Sequence, residues 1–163
     1  MKAPDLHCRL PEEARVAELT GVLCKLLEPP LVIYLQGDLG AGKTTFARAL
    51  IQSLGHSGRV KSPSYGLLEA YQAGGMGVLH LDLYRLEAAE ELEFLALRDL
   101  FDTHALLLVE WPEKGRGHLP AADLSLHFDE ADDGRFVDIA ARSPRGEAVL
   151  KALSIDGQML FRD

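Results

Sequence analysis

Cysteine is nearly absent: Cys8 and Cys24 stand alone in 163 residues. Two cysteines cannot build a disulfide scaffold, and no Cys/His spacing fits a metal site. A reducing, cytoplasmic setting is the simplest expectation. Basic residues are also scarce. Lys plus Arg number 17 against 25 Asp plus Glu, a formal net charge of -8. Strong unaided binding to nucleic acid needs clustered Lys and Arg that displace counterions, so this balance argues against it. It argues equally against a polybasic membrane-surface protein. Long apolar runs are missing too. Stretches such as Ala105 to Val109 fall far short of the ~20 residues that span a bilayer. Lys2, Asp5, His7 and Arg9 interrupt any apolar core of a secretory leader. No membrane association is expected, and no internal repeat or low-complexity tract is visible.

What remains is ordinary for a folded domain: 47% hydrophobic and 26% charged residues. The length suits one domain spanning residues 1–163. Pro11-Glu12-Glu13 reads as a helix start, with Val16, Leu19, Leu23, Leu26 and Leu27 at helical spacing behind it. Pro29-Pro30 ends that helix, and Leu31 to Leu35 is a continuous apolar run, as in a buried strand. Thr44 to Leu54 reads as a helix with Gly55 as its stop. Tyr65 to Tyr71 fits an edge strand. Val78 to Tyr84 alternates, with Leu79, Leu81 and Leu83 on one face and His80, Asp82 and Tyr84 on the other. Glu87 to Phe101 reads as an acidic amphipathic helix with a break near Leu95. Ala105 to Val109 is a second buried strand ending at Glu110. Leu124 to Phe128 and Arg135 to Ala141 form a hairpin across Asp132-Asp133-Gly134. A short helix and an irregular end follow from Gly146. The pattern predicts an α/β domain: a three-layer, P-loop NTPase-like fold with a mostly parallel central sheet and antiparallel C-terminal strands.

Gly37-Asp38-Leu39-Gly40-Ala41-Gly42-Lys43-Thr44 satisfies G-x-x-x-x-G-K-[ST] between a predicted strand and a predicted helix. Glycines at 37, 40 and 42 let backbone N–H groups curl around phosphate oxygens. The following helix aims its positive end at the same anion. Lys43 supplies a mobile charge for the β- and γ-phosphates, and Thr44 offers a hydroxyl to Mg²⁺. At average residue usage, a chance match in such a chain arises about once in two hundred. A mononucleotide triphosphate with Mg²⁺ is the expected ligand. A P-loop also needs a carboxylate at the end of a neighbouring buried strand, and Leu106-Leu107-Leu108-Val109-Glu110 has that form. Asp82 is the second acid. If its face looks at the nucleotide, it orients the attacking water or joins the metal's surroundings, and His80 fixes it by a hydrogen bond; otherwise the face is solvated. Ser62-Pro63-Ser64-Tyr65 lies where a γ-phosphate-sensing switch can sit in such proteins, but spacing alone favours a plain proline turn. Trp111 is a packing residue or a partner contact. His7, His56, His104, His118 and His127 are scattered. The acids at 129, 130, 132 and 133 do not space like a calcium loop.

Together, the P-loop through Thr45, Ser62-Pro63, His80-Leu81-Asp82-Leu83-Tyr84-Arg85 and Glu110-Trp111-Pro112-Glu113 resemble the TsaE (YjeE) family over about residues 10 to 120. These are bacterial ATPase subunits for threonylcarbamoyladenosine formation in tRNA. The resemblance implies an ATPase that is slow alone and docks on a TsaB–TsaD heterodimer. That pair carries threonylcarbamoyl transfer onto adenosine 37 of tRNA, and hydrolysis resets it. Contact with tRNA is then indirect, and the chain is a monomer when alone. ATP and Mg²⁺ are the implied cofactors. Asp38, Leu39, Gly40, Ala41, Gly42, Lys43, Thr44 and Thr45 would bind the phosphates, and Thr44 and Glu110 the metal. Lys43, Asp82 and Glu110 would be catalytic, and Trp111 would match a family tryptophan near the site. Adenine would lie between Glu13 on the first helix and Gly134-Arg135 of the hairpin. The chain departs from the family at Ser64, usually Thr, at Leu81, usually Phe, and at Ala14 or Arg15, where a Thr is common.

Three other readings compete. A small-molecule P-loop kinase usually carries an Arg-rich lid, and no Arg cluster exists here. A GTPase normally uses N/T-K-x-D, and Lys61, Lys114 and Lys151 are not in one. A non-hydrolysing nucleotide-gated module is at odds with the complete set of Lys43, Thr44, Asp82 and Glu110.

Overall fold

The computed structural model describes residues 5–60, 63, 67–95, 97–101, 105–131 and 134–161. In chain order the elements are β1 (Leu6–Leu10), α1 (Glu13–Leu23), β2 (Leu31–Gly37), α2 (Lys43–Ser53), β3 (Leu68–Ala73) and β4 (Met76–Asp82). A 3₁₀ segment (Ala89–Leu95), a one-turn α3 (Leu97–Leu100), β5 (Ala105–Glu110) and a 3₁₀ turn (Pro112–Gly115) come next. The chain continues with β6 (Leu124–Ala131), β7 (Gly134–Ala141), α4 (Pro144–Asp156) and a last 3₁₀ turn (Gln158–Phe161).

The described strands form one seven-stranded sheet in the order β1-β7-β6-β2-β5-β4-β3. Its centre, β6-β2-β5-β4, is parallel, and both margins are antiparallel. Period-two alternation splits the centre between two cores. Leu106 and Leu108 of β5 face α1, α2 and α4 through Leu19, Leu23, Phe46, Leu50 and Leu153. Leu107 and Val109 face the opposite side, with Leu79, Leu81, Leu83, Leu92 and Leu97. A strand buried on both faces must be apolar throughout, which is why β5 reads Ala-Leu-Leu-Leu-Val before its terminal Glu110. This is the three-layer α/β fold that the sequence predicts.

Four local expectations hold only in part. Glu87 to Phe101 breaks just after Leu95, as expected, but its first part, Ala89–Leu95, is 3₁₀ and not α-helical. Leu92 and Leu97 both reach the smaller core, yet residues five apart on an α-helix point about 140° apart. A 3₁₀ segment joined to a single turn brings both inward, and the Glu91 carboxylate caps the start by accepting from the backbone N–H groups of Glu87 and Ala88. The C-terminal helix begins at Pro144, ahead of Gly146, because Ser143 caps it: its hydroxyl oxygen accepts from the Gly146 N–H at 3.0 Å. The edge strand β3 begins at Leu68, and Tyr65 lies outside the described residues. Of the C-terminal hairpin only β7 is antiparallel to both its neighbours; β6 runs parallel to β2. The hairpin closes with Ala131 opposite Gly134, and Asp132 and Asp133 between them lie outside the described residues. β1 lies outside every strand that the sequence predicts. In β1, Cys8 and Leu10 face inward while His7 and Arg9 face out.

Candidate functional site

Parallel pairing fixes what meets at the C-terminal edge of the sheet. Asp82, the last residue of β4, is register partner to Glu110, the last of β5, and Glu110 also pairs with Leu35 on β2. Two residues beyond Leu35, β2 ends at Gly37, where φ is 138°. A Cβ there would lie 2.5 Å from the carbonyl oxygen of Phe128 on β6. Only glycine lets the two strands run side by side and the chain turn at once. The loop then passes through Gly40 and Gly42, at φ 81° and 115°, and α2 starts at Lys43. The positive end of α2 thus faces the ends of β4 and β5.

Lys43 folds back over the loop. Its Nζ donates to the carbonyls of Gly37 and Asp38 at 2.6 and 2.7 Å and sits 4.3 Å from the centre of the Trp111 ring. The side chain is only 4% exposed. Desolvation lowers its pKa below the ordinary lysine value, while Glu110, Asp82, Glu113 and Asp38 pull the other way. Trp111 adopts φ 58° and ψ 50°, a left-handed conformation costing a non-glycine residue about 1–2 kcal/mol. Its ring is held by Lys43 on one contact and by Tyr84, 5.1 Å away, on another. Lys114 reaches over Tyr84 at 4.9 Å and donates to the Tyr84 carbonyl.

Glu110 is the hub. It is 2% exposed. Thr44 Oγ1 donates to its Oε1 at 2.7 Å, and His80 Nε2 lies 2.6 Å from its Oε2. Asp82 stands beside it, half-buried, with its Oδ1 accepting the Tyr84 backbone N–H at 3.0 Å. Burial raises the Asp82 pKa and repulsion from Glu110 raises it further; the Tyr84 N–H, His80 and Lys43 oppose the shift. The β4 face carrying His80 and Asp82 is therefore not a solvated one: His80 is fully buried. Its hydrogen bond goes to Glu110, not to Asp82.

Two cavities adjoin here. One of about 210 Å³ is lined by Leu39, Lys43, Thr44, Asp82, Glu110 and Trp111. The other, of about 500 Å³, is lined by Leu10, Glu13, Val16, Phe128, Gly134 and Arg135 among others. Gly42, Thr45 and Arg135 border both. Every residue of the expected phosphate-binding set thus lies on one loop and helix start, with Asp38 and Leu39 exposed at its tip and Ala41 buried beneath it. Glu13, Gly134 and Arg135, from opposite ends of the chain, are brought together in the larger cavity, where Arg135 Nε donates to Glu130 at 3.1 Å. Of the switch-like segment only Pro63 is described, and it is buried; Ser62, Ser64 and Tyr65 lie outside the described residues. The other described histidines sit apart: His7 pairs with Asp138, His118 with Glu93 and His127 with Asp129, while His56 bonds the Gln72 carbonyl.

A parallel sheet whose glycine-rich turn feeds a helix, with acids from two adjacent strands beside it, is the P-loop fold. A family model described as "Threonylcarbamoyl adenosine biosynthesis protein TsaE" matches residues 10–137. The tRNA threonylcarbamoyladenosine biosynthesis protein TsaE of Haemophilus influenzae is 47% identical, over 82% of this chain and 85% of that protein. The Bacillus subtilis protein of the same name is 36% identical, over 88% and 89%. The crystal structure of YdiB from Bacillus subtilis superposes with a TM-score of 0.77 at 27% identity, covering 93% of this chain and 95% of that one. The chain belongs to the TsaE family, whose members are involved in tRNA threonylcarbamoyladenosine biosynthesis. Among the described residues, no helix is long and apolar enough to cross a membrane.

Proposed function

We propose that this chain is the ATPase subunit for N6-threonylcarbamoyladenosine formation at position 37 of tRNA, hydrolysing ATP with Mg²⁺ to reset a TsaB–TsaD-like transferase complex. The observation that carries this reading is the placement of Glu110: its carboxylate meets the hydroxyl of the P-loop Thr44 at 2.7 Å, beside Lys43.

The residues divide the work. Backbone N–H groups of residues 38–45 cradle the phosphate chain at the positive end of α2. Lys43 exchanges two neutral carbonyl partners for phosphate oxygens, a trade that favours its charged form. Thr44 Oγ1 and Glu110 Oε1 are two hard oxygen donors side by side, which suits Mg²⁺. Among the described residues no group of three or more His, Cys, Asp or Glu is placed to hold a metal. Thr44 and Glu110 would hold the ion as its protein ligands, leaving the remaining positions to phosphate and water, as Mg²⁺ usually prefers. When bound, the ion neutralises charge that develops on the β- and γ-oxygens. Asp82, with its proton affinity raised, orients the attacking water and accepts its proton as the bond to ADP breaks. The larger cavity, between Glu13 and Gly134-Arg135, takes the adenine.

The net charge of -8 supports indirect contact with tRNA through partner proteins. Leu39 and Tyr84, 68% and 41% exposed at the rim of the smaller cavity, give such a partner a place to complete the site. The test is phosphate release from ATP with and without Mg²⁺, alone and with a TsaB–TsaD pair. Slow Mg²⁺-dependent release that rises with the pair is expected. Transfer of phosphate to a small acceptor, or no ATP binding, would refute the reading.

A further inference from the structure

Among the described residues, one buried side-chain polar atom lacks a hydrogen-bond partner: Nδ1 of His80. The ring is fully buried, and its other nitrogen, Nε2, lies 2.6 Å from Glu110 Oε2. Which nitrogen carries the proton follows from these two facts. An N–H at Nδ1 would be sealed from water with nothing to accept it, which is among the rarest situations in proteins. A bare lone pair there is better tolerated. The proton therefore belongs on Nε2, where it is donated to the carboxylate.

Glu110 is then clamped at both oxygens, Oε2 by His80 and Oε1 by Thr44. That matters because Glu has one more rotatable bond than the Asp that more often ends such a strand. Left alone, the longer arm would sample several positions at the end of β5. We propose that His80 is a positioning residue for Glu110: by holding Oε2 it keeps Oε1 beside Thr44 Oγ1, where a divalent cation arriving with ATP takes both oxygens. This rests on the nucleotide reading above. His80 itself touches neither nucleotide nor cation.

Side chains of graded geometry test it. The amide nitrogen of Gln reaches about as far as Nε2, whereas that of Asn ends near the place of Nδ1. His80→Gln should keep the Mg²⁺ concentration for half-maximal ATP binding within a few-fold of the parent. His80→Asn and His80→Leu should raise it roughly ten- to a hundred-fold, while ATP affinity measured in EDTA stays put. Trp111, the only tryptophan, reports binding by fluorescence. Long-range ¹H–¹⁵N spectra of the nucleotide-free protein give a readout independent of turnover: Nε2 of His80 should carry a proton held in the bond to Glu110. An Nδ1–H tautomer, or His80→Asn matching His80→Gln in Mg²⁺ requirement, would overturn the proposal. If the parent protein itself binds no ATP, the nucleotide reading falls, and the spectra still decide the His80–Glu110 bond. Should His80→Leu fail to fold, the Gln and Asn pair carries the comparison.

Discussion

Replacing Glu110 by Ala separates binding from chemistry. The carboxylate is 2% exposed and serves two donors, Thr44 Oγ1 at 2.7 Å and His80 Nε2 at 2.6 Å. Its removal strands the His80 N–H in the interior, and a buried donor left unpaired costs about 1–3 kcal/mol. Thr44 is half-buried and can turn to water, so its loss is smaller. Against this, Asp82 is relieved of Glu110's repulsion, the second largest influence on its pKa. A net destabilisation of roughly 1–3 kcal/mol follows, which lowers the melting temperature by several degrees in a domain of this size. The effect on function is of another order. Lys43 and the loop N–H groups remain, so ATP binding without Mg²⁺ should change only a few-fold. On the proposed reading hydrolysis loses a metal ligand and should fall at least ~100-fold, as when one preorganised transition-state contact is removed. Calorimetry with ATP in EDTA, phosphate release with Mg²⁺, and a thermal melt on the same sample measure the three quantities. Normal Mg²⁺-dependent hydrolysis by the Ala variant would remove Glu110 from the site altogether.

Lys43→Ala should abolish measurable ATP binding, because it removes the cation that sits on the loop carbonyls of Gly37 and Asp38; calorimetry showing unchanged affinity would contradict the P-loop assignment. Gly37→Ala should cost roughly 2–4 kcal/mol, since its Cβ would press to 2.5 Å on a backbone carbonyl at a φ of 138°, and a urea titration showing parental stability would refute the close approach. Asp82→Asn keeps the acceptor for the Tyr84 N–H, so it should lower kcat far more than ATP affinity; equal losses would point to a structural role. The same variant has a pH signature. Asp82's folded pKa lies above its unfolded one, so its favourable contribution is complete below the unfolded value and is lost as pH rises through the folded value. Asp82→Asn should therefore be more stable than the parent at neutral pH and lose that advantage toward pH 4, and a pH-independent difference in chemical denaturation would disprove the sign.

What could be read from sequence followed from periodicity and from glycine. The run Leu106 to Val109 could only be a strand covered on both faces, and Gly37, Gly40 and Gly42 before Lys43 fixed the loop and its neighbours. What escaped depended on partners distant in sequence. β1 carries His7 and Arg9 between its apolar residues and looks like a charged leader until β7 is set beside it. The segment after Tyr84 has acids at helical spacing, but Leu92 and Leu97 answer to the core and not to an α-helical face. Within the site, alternation placed His80 and Asp82 together and suggested a bond between them, whereas His80 bonds Glu110. That depends on β4 lying parallel to β5 with Asp82 opposite Glu110, a register no local pattern encodes.

That register also explains why an acid one methylene longer than usual can end β5. Asp82 and Glu110 stand side by side on neighbouring strands, and two short carboxylates there would repel at closest range. A longer arm carries the Glu110 charge past Asp82 to Thr44 at the helix start, where the α2 dipole and Lys43 favour a negative group. The extra reach brings extra freedom, and His80, two residues before Asp82 on the same face, restrains it. A shorter acid at position 110 would draw back from both Thr44 and His80. Glu110→Asp should consequently behave more like Glu110→Ala than a conservative exchange would imply, with Mg²⁺-dependent phosphate release lost while ATP binding in EDTA persists. Retention of parental turnover by Glu110→Asp would show that reach is not what this position is selected for.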